Sequence, residues 1–287
     1  MAHKYALIFI KYSFIINEAI YIAVEKGIGG DVIMKRVLIY ILALVVVLSF
    51  MGCSTKIDTM KRIKETKKII WGTNAAFPPF EMRQGDEVIG IDAEIAKRIA
   101  DKLGVELVVE DMEFEALMSA LTSGKIDFIA AGFTVKPDRA EQVLFTDTYF
   151  KAVQVIIVMK DNQEIKGPED LKGKRIGVQN ATTGDFVASE IEGAEVKRYN
   201  NGMEAVMDLK NGNIDAVIID DLPARMLAEK NPEVKILEEK PSEEEEYALA
   251  VRKGDTELQQ VINEVLAEMK ESGEIEELVK KYSLGEQ

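Results

Sequence analysis

The sequence predicts an α/β protein made of two similar lobes. Between residues 69 and 284 short apolar runs alternate with segments of helical period, the pattern of βαβ units and a largely parallel sheet. A quasi-repeat supplies the second lobe. Leu121-Thr-Ser-Gly-Lys-Ile-Asp-Phe-Ile129 matches Leu209-Lys-Asn-Gly-Asn-Ile-Asp-Ala-Val217, with Gly124 and Gly212 lying 88 residues apart. In each copy a helix stops at Gly and Ile-Asp opens a buried strand. Asp127 and Asp215 are therefore expected to be structural residues at strand starts.

Taken in order, the chain begins with an address. Val37 to Met51 is uncharged and mostly apolar, preceded by Lys35-Arg36 and followed by Gly52-Cys53. It is short for a membrane span, which needs roughly 20 residues, and has the layout of an export signal. Phe50-Met51-Gly52-Cys53 resembles a lipoprotein signal box, with Cys53 as the lipidated residue. Residues 34–53 are thus read as a lipoprotein signal peptide, and residues 1–33 as an upstream extension from a mis-chosen start ahead of Met34. Residues 54–67, polar and Lys-rich, read as a tether. Then come a strand at Ile69–Trp71, a helix at Ile91–Leu103 closed by Gly104, a strand at Val105–Val109, a helix at Phe114–Leu121 and a strand at Ile126–Ala131. Crossings near Lys151–Gln154 and Tyr247–Ala250 divide the body into lobe one, residues 68–152 plus 248–287, and lobe two, residues 153–247. The Glu243–Glu246 run reads as a solvated loop or helix edge.

Composition excludes several chemistries. The 287 residues carry 36 Lys and Arg against 50 Asp and Glu, a formal net charge of −14. Nucleic acid is not an expected partner, because phosphate binding needs a cationic surface. The chain has one Cys and one His, His3, and lacks the P-loop, dinucleotide, zincin and nucleophile-elbow motifs. No cofactor and no metal are expected.

Four segments fall at strand ends, where α/β lobes bind ligands. Trp71-Gly-Thr-Asn74-Ala-Ala-Phe77-Pro-Pro-Phe80 follows the first strand, with its aromatic rings expected in an exposed rigid turn. Ala131-Gly132-Phe133-Thr134 leads to Pro137-Asp138-Arg139. Gln179-Asn-Ala-Thr182-Thr183-Gly184 runs into a helix, whose free amides can meet an anion. Ile218-Ile219-Asp220-Asp221 ends a strand in carboxylates. This set complements a zwitterion, with Arg139 for a carboxylate, Asp220 for an ammonium and aromatic faces for the rest.

These residues also carry a family resemblance. Asn74-Ala-Ala-Phe77-Pro-Pro-Phe80-Glu, Gly90-Ile-Asp-Ala-Glu-Ile, Phe114-Glu-Ala-Leu, Gly124-Lys-Ile-Asp-Phe, Thr134 followed by Arg139, and Asp215-Ala-Val-Ile-Ile-Asp220 resemble the polar amino-acid-binding proteins of ABC importers, the extracytoplasmic glutamine, histidine and lysine/arginine/ornithine type. The resemblance implies a periplasmic-binding-protein-like fold of type II, two lobes closing on a free amino acid, and a monomer that delivers it to permease and ATPase subunits from a lipid anchor outside the cytoplasmic membrane. It implies that Phe77 and Phe114 sandwich the ligand side chain, Gly132 gives an amide and Thr134 a hydroxyl, Arg139 clamps the α-carboxylate, Thr183 adds a donor and Asp220 takes the α-ammonium. Asn74 and Gln179 are the specificity positions. Two neutral amides lean slightly toward glutamine, with Glu81 able to serve a cation. The rival readings are a dehydratase-like enzyme on the same fold and a sensor ectodomain.

Overall fold

In the computed structural model the described residues are 58–283. The signal-peptide and upstream-extension readings of residues 1–53, with Cys53 as the expected lipidated residue, therefore lie outside them. The chain enters through α1 (Thr59–Thr66) and β1 (Lys68–Thr73), then a three-stranded antiparallel flap of β2 (Ala76–Phe77), β3 (Glu81–Gln84) and β4 (Glu87–Ile89). Next come α2 (Ile91–Leu103), β5 (Glu106–Asp111), a 3-10 turn at Phe114–Ala116 leading into α3 (Leu117–Ser123), β6 (Phe128–Ile129), the one-turn α4 (Pro137–Ala140) and the long β7 (Val143–Met159). The second half contains β8 (Arg175–Gln179), α5 (Thr183–Glu190), β9 (Glu195–Tyr199), α6 (Gly202–Lys210), β10 (Ala216–Asp220), α7 (Asp221–Lys230) and β11 (Val234–Ile236). β12 (Glu244–Arg252), α8 (Thr256–Glu271) and α9 (Glu274–Ser283) close the described chain.

The sheet order β5-β1-β6-β12-β7-β10-β8-β9 reads the same from both ends, with β11 added on β7. On one side β5, β1 and β6 are parallel and β12 is antiparallel to β6; on the other β9, β8 and β10 are parallel and β7 is antiparallel to β10. The two lobes are thus copies of one βαβ plan. β7 changes partners between Val153, which faces β12, and Gln154, which faces Asp220 of β10.

The repeat noticed in the sequence has a common physical role in both lobes. Gly124 and Gly212 take the left-handed conformation, at φ 81° and 73°, that ends each helix. Asp127 then accepts the Ile70 amide at 2.8 Å, and Asp215 accepts the Arg175 amide at 2.8 Å. Each aspartate pins the neighbouring parallel strand to its own.

Residues 59–66 do not behave as a tether. They form an amphipathic helix capped by Asp58, with Met60 and Ile63 buried in the core. Thr59 donates to Asp255 at 2.7 Å, and Arg62 pairs with Asp127, which also faces Arg252 at 3.5 Å. The polar and Lys-rich composition belongs to the helix's outer face. The Glu243–Glu246 run is not a solvated loop either. Its residues 244–246 open β12, so the return passage begins there, ahead of Tyr247–Ala250.

Because Asp127 is buried against two arginines, Asp127→Ala should cost about 3 kcal/mol of unfolding free energy. Asp215, whose side chain is 29% exposed beside Arg175, should cost only about 1 kcal/mol. Denaturant unfolding of the two variants compares them directly, and equal losses would contradict this account.

Candidate functional site

The strand ends of both lobes meet at one cavity. It is lined by Asn74, Phe77, Glu81, Phe114, Ala131, Gly132, Thr134 and Arg139 from one lobe and by Gln179, Thr182, Thr183 and Asp220 from the other. All nine candidate site residues are brought together there. Glu81, Ala131 and Thr182 complete the lining.

Each side chain arrives for a local reason. β1 ends at Thr73 and delivers Asn74; the flap turns Phe77 inward. Phe77 and Phe80 are buried, at 6% and 0% exposure, so the aromatic turn faces the core and not the solvent. Gly132 follows β6 at φ 52°, a conformation open to glycine, and a Cβ there would stand 2.7 Å from the Phe77 ring. Its amide is not free for a ligand, since Asp92 accepts it at 2.9 Å. A buried carboxylate outcompetes any incoming acceptor for that N–H, so the amide expected for ligand binding serves to shape the site.

Arg139 is buried and makes no ion pair of 4.0 Å or less among the described residues. Its Nη1 donates to the Thr134 carbonyl at 3.0 Å and its Nη2 to the Ala181 carbonyl of the other lobe at 2.9 Å. The guanidinium lies 4.4 Å from the Phe133 ring centroid and 5.4 Å from that of Phe114. Burial lowers its pKa to about 10, against the upward pull of Asp138 and more distant acids, so it stays cationic at neutral pH. Thr183 opens α5, where the first-turn amides have no intrahelical acceptor. Its hydroxyl donates to Thr134 Oγ1 at 3.1 Å.

Two regions of the lining are acidic. Asp220 occupies the N-cap position of α7, but its side chain makes no capping bond. It accepts the Tyr247 hydroxyl at 2.6 Å, and burial first, then the charge of Glu245, pushes its carboxyl up to about 7. Glu81 is fully buried, and no N–H or hydroxyl donor among the described residues meets its carboxylate oxygens; its one polar neighbour in hydrogen-bond reach is the carboxyl of Asp92. Burial, then the neighbouring charge of Asp92, raises it well above the usual carboxylate range. Asp92 itself is pushed up to about 6 by burial, opposed by the Tyr149 hydroxyl and the Gly132 amide.

The two neutral amides are engaged with each other. Gln179 Nε2 donates to Asn74 Oδ1 at 2.9 Å across the lobes, and Asn74 Nδ2 donates to the Met112 carbonyl at 2.9 Å. Gln179 Oε1 remains buried without a donor. Among the described residues no three His, Cys, Asp or Glu side chains are grouped so as to hold a metal ion.

A protein with two βαβ lobes and a polar cavity between their strand ends is a solute receptor by architecture. The chain belongs to the bacterial extracellular solute-binding proteins, family 3, whose model matches residues 69–286, and its fold is of the type II periplasmic-binding-protein kind. Among curated relatives, the arginine-binding extracellular protein ArtP of Bacillus subtilis is 35% identical over 88% of this chain and all of that protein. The ABC transporter glutamine-binding protein GlnH of the same organism is 34% identical over 79% of this chain and 85% of its own. A holo form of ArgBP from T. maritima superposes with a TM-score of 0.70 at 42% identity, covering 73% of this chain and 93% of that one. An ancestral arginine-binding protein bound to glutamine gives 0.69 at 42%, covering 75% and 97%.

The importance of Gly132 can be separated from its backbone preference. Gly132→Ala adds a clash with Phe77 to the left-handed strain and should lose about 3 kcal/mol. Gly85→Ala, at φ 61° with nothing within 4 Å, carries the strain alone and should lose about 1 kcal/mol. Thermal denaturation of both isolates the contact with the aromatic wall.

Proposed function

We propose that this protein captures a free L-amino acid, arginine foremost, outside the cytoplasmic membrane and hands it to the permease and ATPase subunits of an ABC importer. It works as a monomer without catalysis, tethered through a lipid on Cys53. The relatives named above support the amino-acid class and the transporter, and the export-signal and lipobox pattern supports the tether.

The observation that carries the choice of arginine is the surplus of acceptors in the cavity. Gln179 Oε1 is buried with no donor, and the Glu81 carboxyl has only the Asp92 carboxyl beside it, with no basic group among the described residues paired to either. A buried acceptor left bare costs about 1–3 kcal/mol, and a guanidinium brings five N–H donors in a planar fork. A glutamine side chain brings two donors and adds an acceptor. The amides of Asn74 and Gln179, which lean toward glutamine in the sequence, are largely used by one another.

At the other end of the ligand, Arg139 is the partner we assign to the α-carboxylate, with Thr134, Thr183 and the first-turn amides of α5 beside it. Asp220 takes the α-ammonium. Phe77 and Phe114 hold the side chain between them, and Gly132 keeps Phe77 in position. Lobe one then comprises the helix at 59–66 with residues 68–152 and 248–287, and residues 153–247 form lobe two.

Calorimetry on three proteins tests the assignment. Wild type should bind L-arginine more tightly than L-glutamine. Glu81→Gln should weaken arginine by about ten- to a hundredfold and spare glutamine. Arg139→Ala should weaken both by roughly 30- to 4000-fold, since it leaves a desolvated carboxylate unpaired. Binding within about threefold of wild type in Arg139→Ala would remove the α-carboxylate assignment.

Protonation gives a second test. Asp220, held at about 7, must ionise to meet an ammonium, so binding of L-glutamine, whose side chain asks no charge of Glu81, expels a proton below that value. Affinity should fall as the pH drops from about 8 to about 6, approaching tenfold per pH unit below the free-site value. Calorimetry in buffers of different ionisation heat counts the protons. Uptake in place of release would reverse the sign and exclude the pairing.

A further inference from the structure

One acidic side chain outside the cavity lining reaches the ammonium end of the site from the crossing strands. Glu245 sits on β12 opposite Ala152 of β7. Its Oε1 accepts a 2.6 Å hydrogen bond from Gln154 Nε2, and its Oε2 is buried with no partner among the described residues. Gln154 is wholly buried and stands in register with Asp220 across β7 and β10. Its own Oε1 is unpartnered as well. A Cβ on Gly184 would come within 2.9 Å of that oxygen, so the bare first turn of α5 closes over the amide. Tyr247, two residues beyond Glu245 and therefore on the same face of β12, donates to Asp220. Glu245 and Tyr247 thus approach Asp220 together, one by charge and one by hydrogen bond.

The buried Asp220 and the half-buried Glu245 repel as carboxylates, and either a proton on Asp220 or a cation beside the pair relieves the repulsion. The Gln154 amide is a dipole and cannot neutralise them. Arg139 feels the charge of Glu245 but forms no ion pair with it. A ligand that brings an α-ammonium supplies the missing charge. One that brings a hydroxyl or a hydrogen in its place gains nothing from Glu245 and leaves the repulsion to be relieved by a proton on Asp220. Discrimination of this kind works by penalising the wrong ligand as much as by rewarding the right one.

We propose that Glu245, acting through Gln154, is a positioning residue that makes this cleft select for the α-ammonium group, by placing a second negative charge behind Asp220 and fixing the amide beside it. The inference rests on the amino-acid reading given above and adds to it a residue that never touches the ligand.

Calorimetry with L-arginine and its deaminated analogue, 5-guanidinopentanoate, tests it on wild type, Glu245→Gln and Glu245→Asp. Wild type should prefer arginine strongly. Glu245→Gln should narrow that preference by about tenfold, weakening arginine while leaving the analogue unchanged or tighter. Glu245→Asp, which keeps the charge, should retain most of the preference. Equal weakening of both ligands in Glu245→Gln would make Glu245 merely structural and overturn the proposal. Thermal melting checks that the variant folds; if it does not, Gln154→Met takes its place, with a narrowed preference in support and an unchanged one against. A wild type with no preference for the amine would overturn the amino-acid reading and this inference with it, whereas a preference that survives Glu245→Gln overturns this inference alone.

Discussion

The interaction on which the site depends is the solvation of one buried cation by neutral groups. Arg139 is held by two carbonyls, one from each lobe, and by the faces of Phe133 and Phe114. Carbonyl dipoles and ring quadrupoles engage part of its five-donor fork and ease its burial without cancelling its charge. The guanidinium remains ionised near neutral pH with a pKa of about 10, and its charge is left for an incoming anion. Much of the local structure exists to make that arrangement possible. The one-turn α4 points the side chain back under Thr134, and the left-handed Gly132 keeps the aromatic wall close.

The same logic runs through the duplicated lobes. In a parallel βαβ unit the strands end together, and the loops at that edge are free to carry function. Each lobe spends an aspartate at the opposite end, Asp127 or Asp215, on tying two parallel strands to one another. With the strand starts fixed by charge-assisted bonds, the strand ends can bear groups that do little for stability. Asn74, Gln179 and Asp220 are such groups. Asp220 shows the trade plainly, for it stands at a helix N-cap and makes no cap.

Most of the fold was legible in the sequence because it is written in local terms. The Ile91–Leu103 helix has a clear apolar stripe and a glycine stop, and the repeat marks both lobes. The candidate site was legible as far as residues lie at strand ends. What could not be read were features fixed by tertiary partners. Glu81 is legible as an acid able to serve a cation, but its complete burial against Asp92 is set only when the flap folds. Glu245 sits in a run of four glutamates, where only strand alternation in β12 decides which one turns inward. Residues 59–66 have the composition of a tether, and the signal against it, Met60 and Ile63 three residues apart, is too weak to decide alone. The Gly132 amide was misjudged because its competitor, Asp92, is 40 residues away.

If the lobes close on a ligand, as the family resemblance implies, recognition and closure are coupled through the charges the lobes share. The contacts that join the lobes fall into two sets. Asn74 with Gln179, Thr134 with Thr183, and Arg139 with Ala181 line or flank the cavity. Lys136 over the Phe186 ring at 3.7 Å, and Asn180 with Glu115, lie outside it. The outer set is exposed, and a cation–π contact of that kind contributes about 0.5–1 kcal/mol. Such contacts are the same whatever is bound, and cannot choose a ligand. On the proposed reading, choice comes from the inner set, where Arg139 and the acids around Asp220 offer a zwitterion the complementary pattern. A ligand shifts the open–closed balance only by its differential affinity for the two states. That difference is largest where charges from both lobes converge on it, which is the arrangement the two copies of the βαβ plan create when their strand ends face each other.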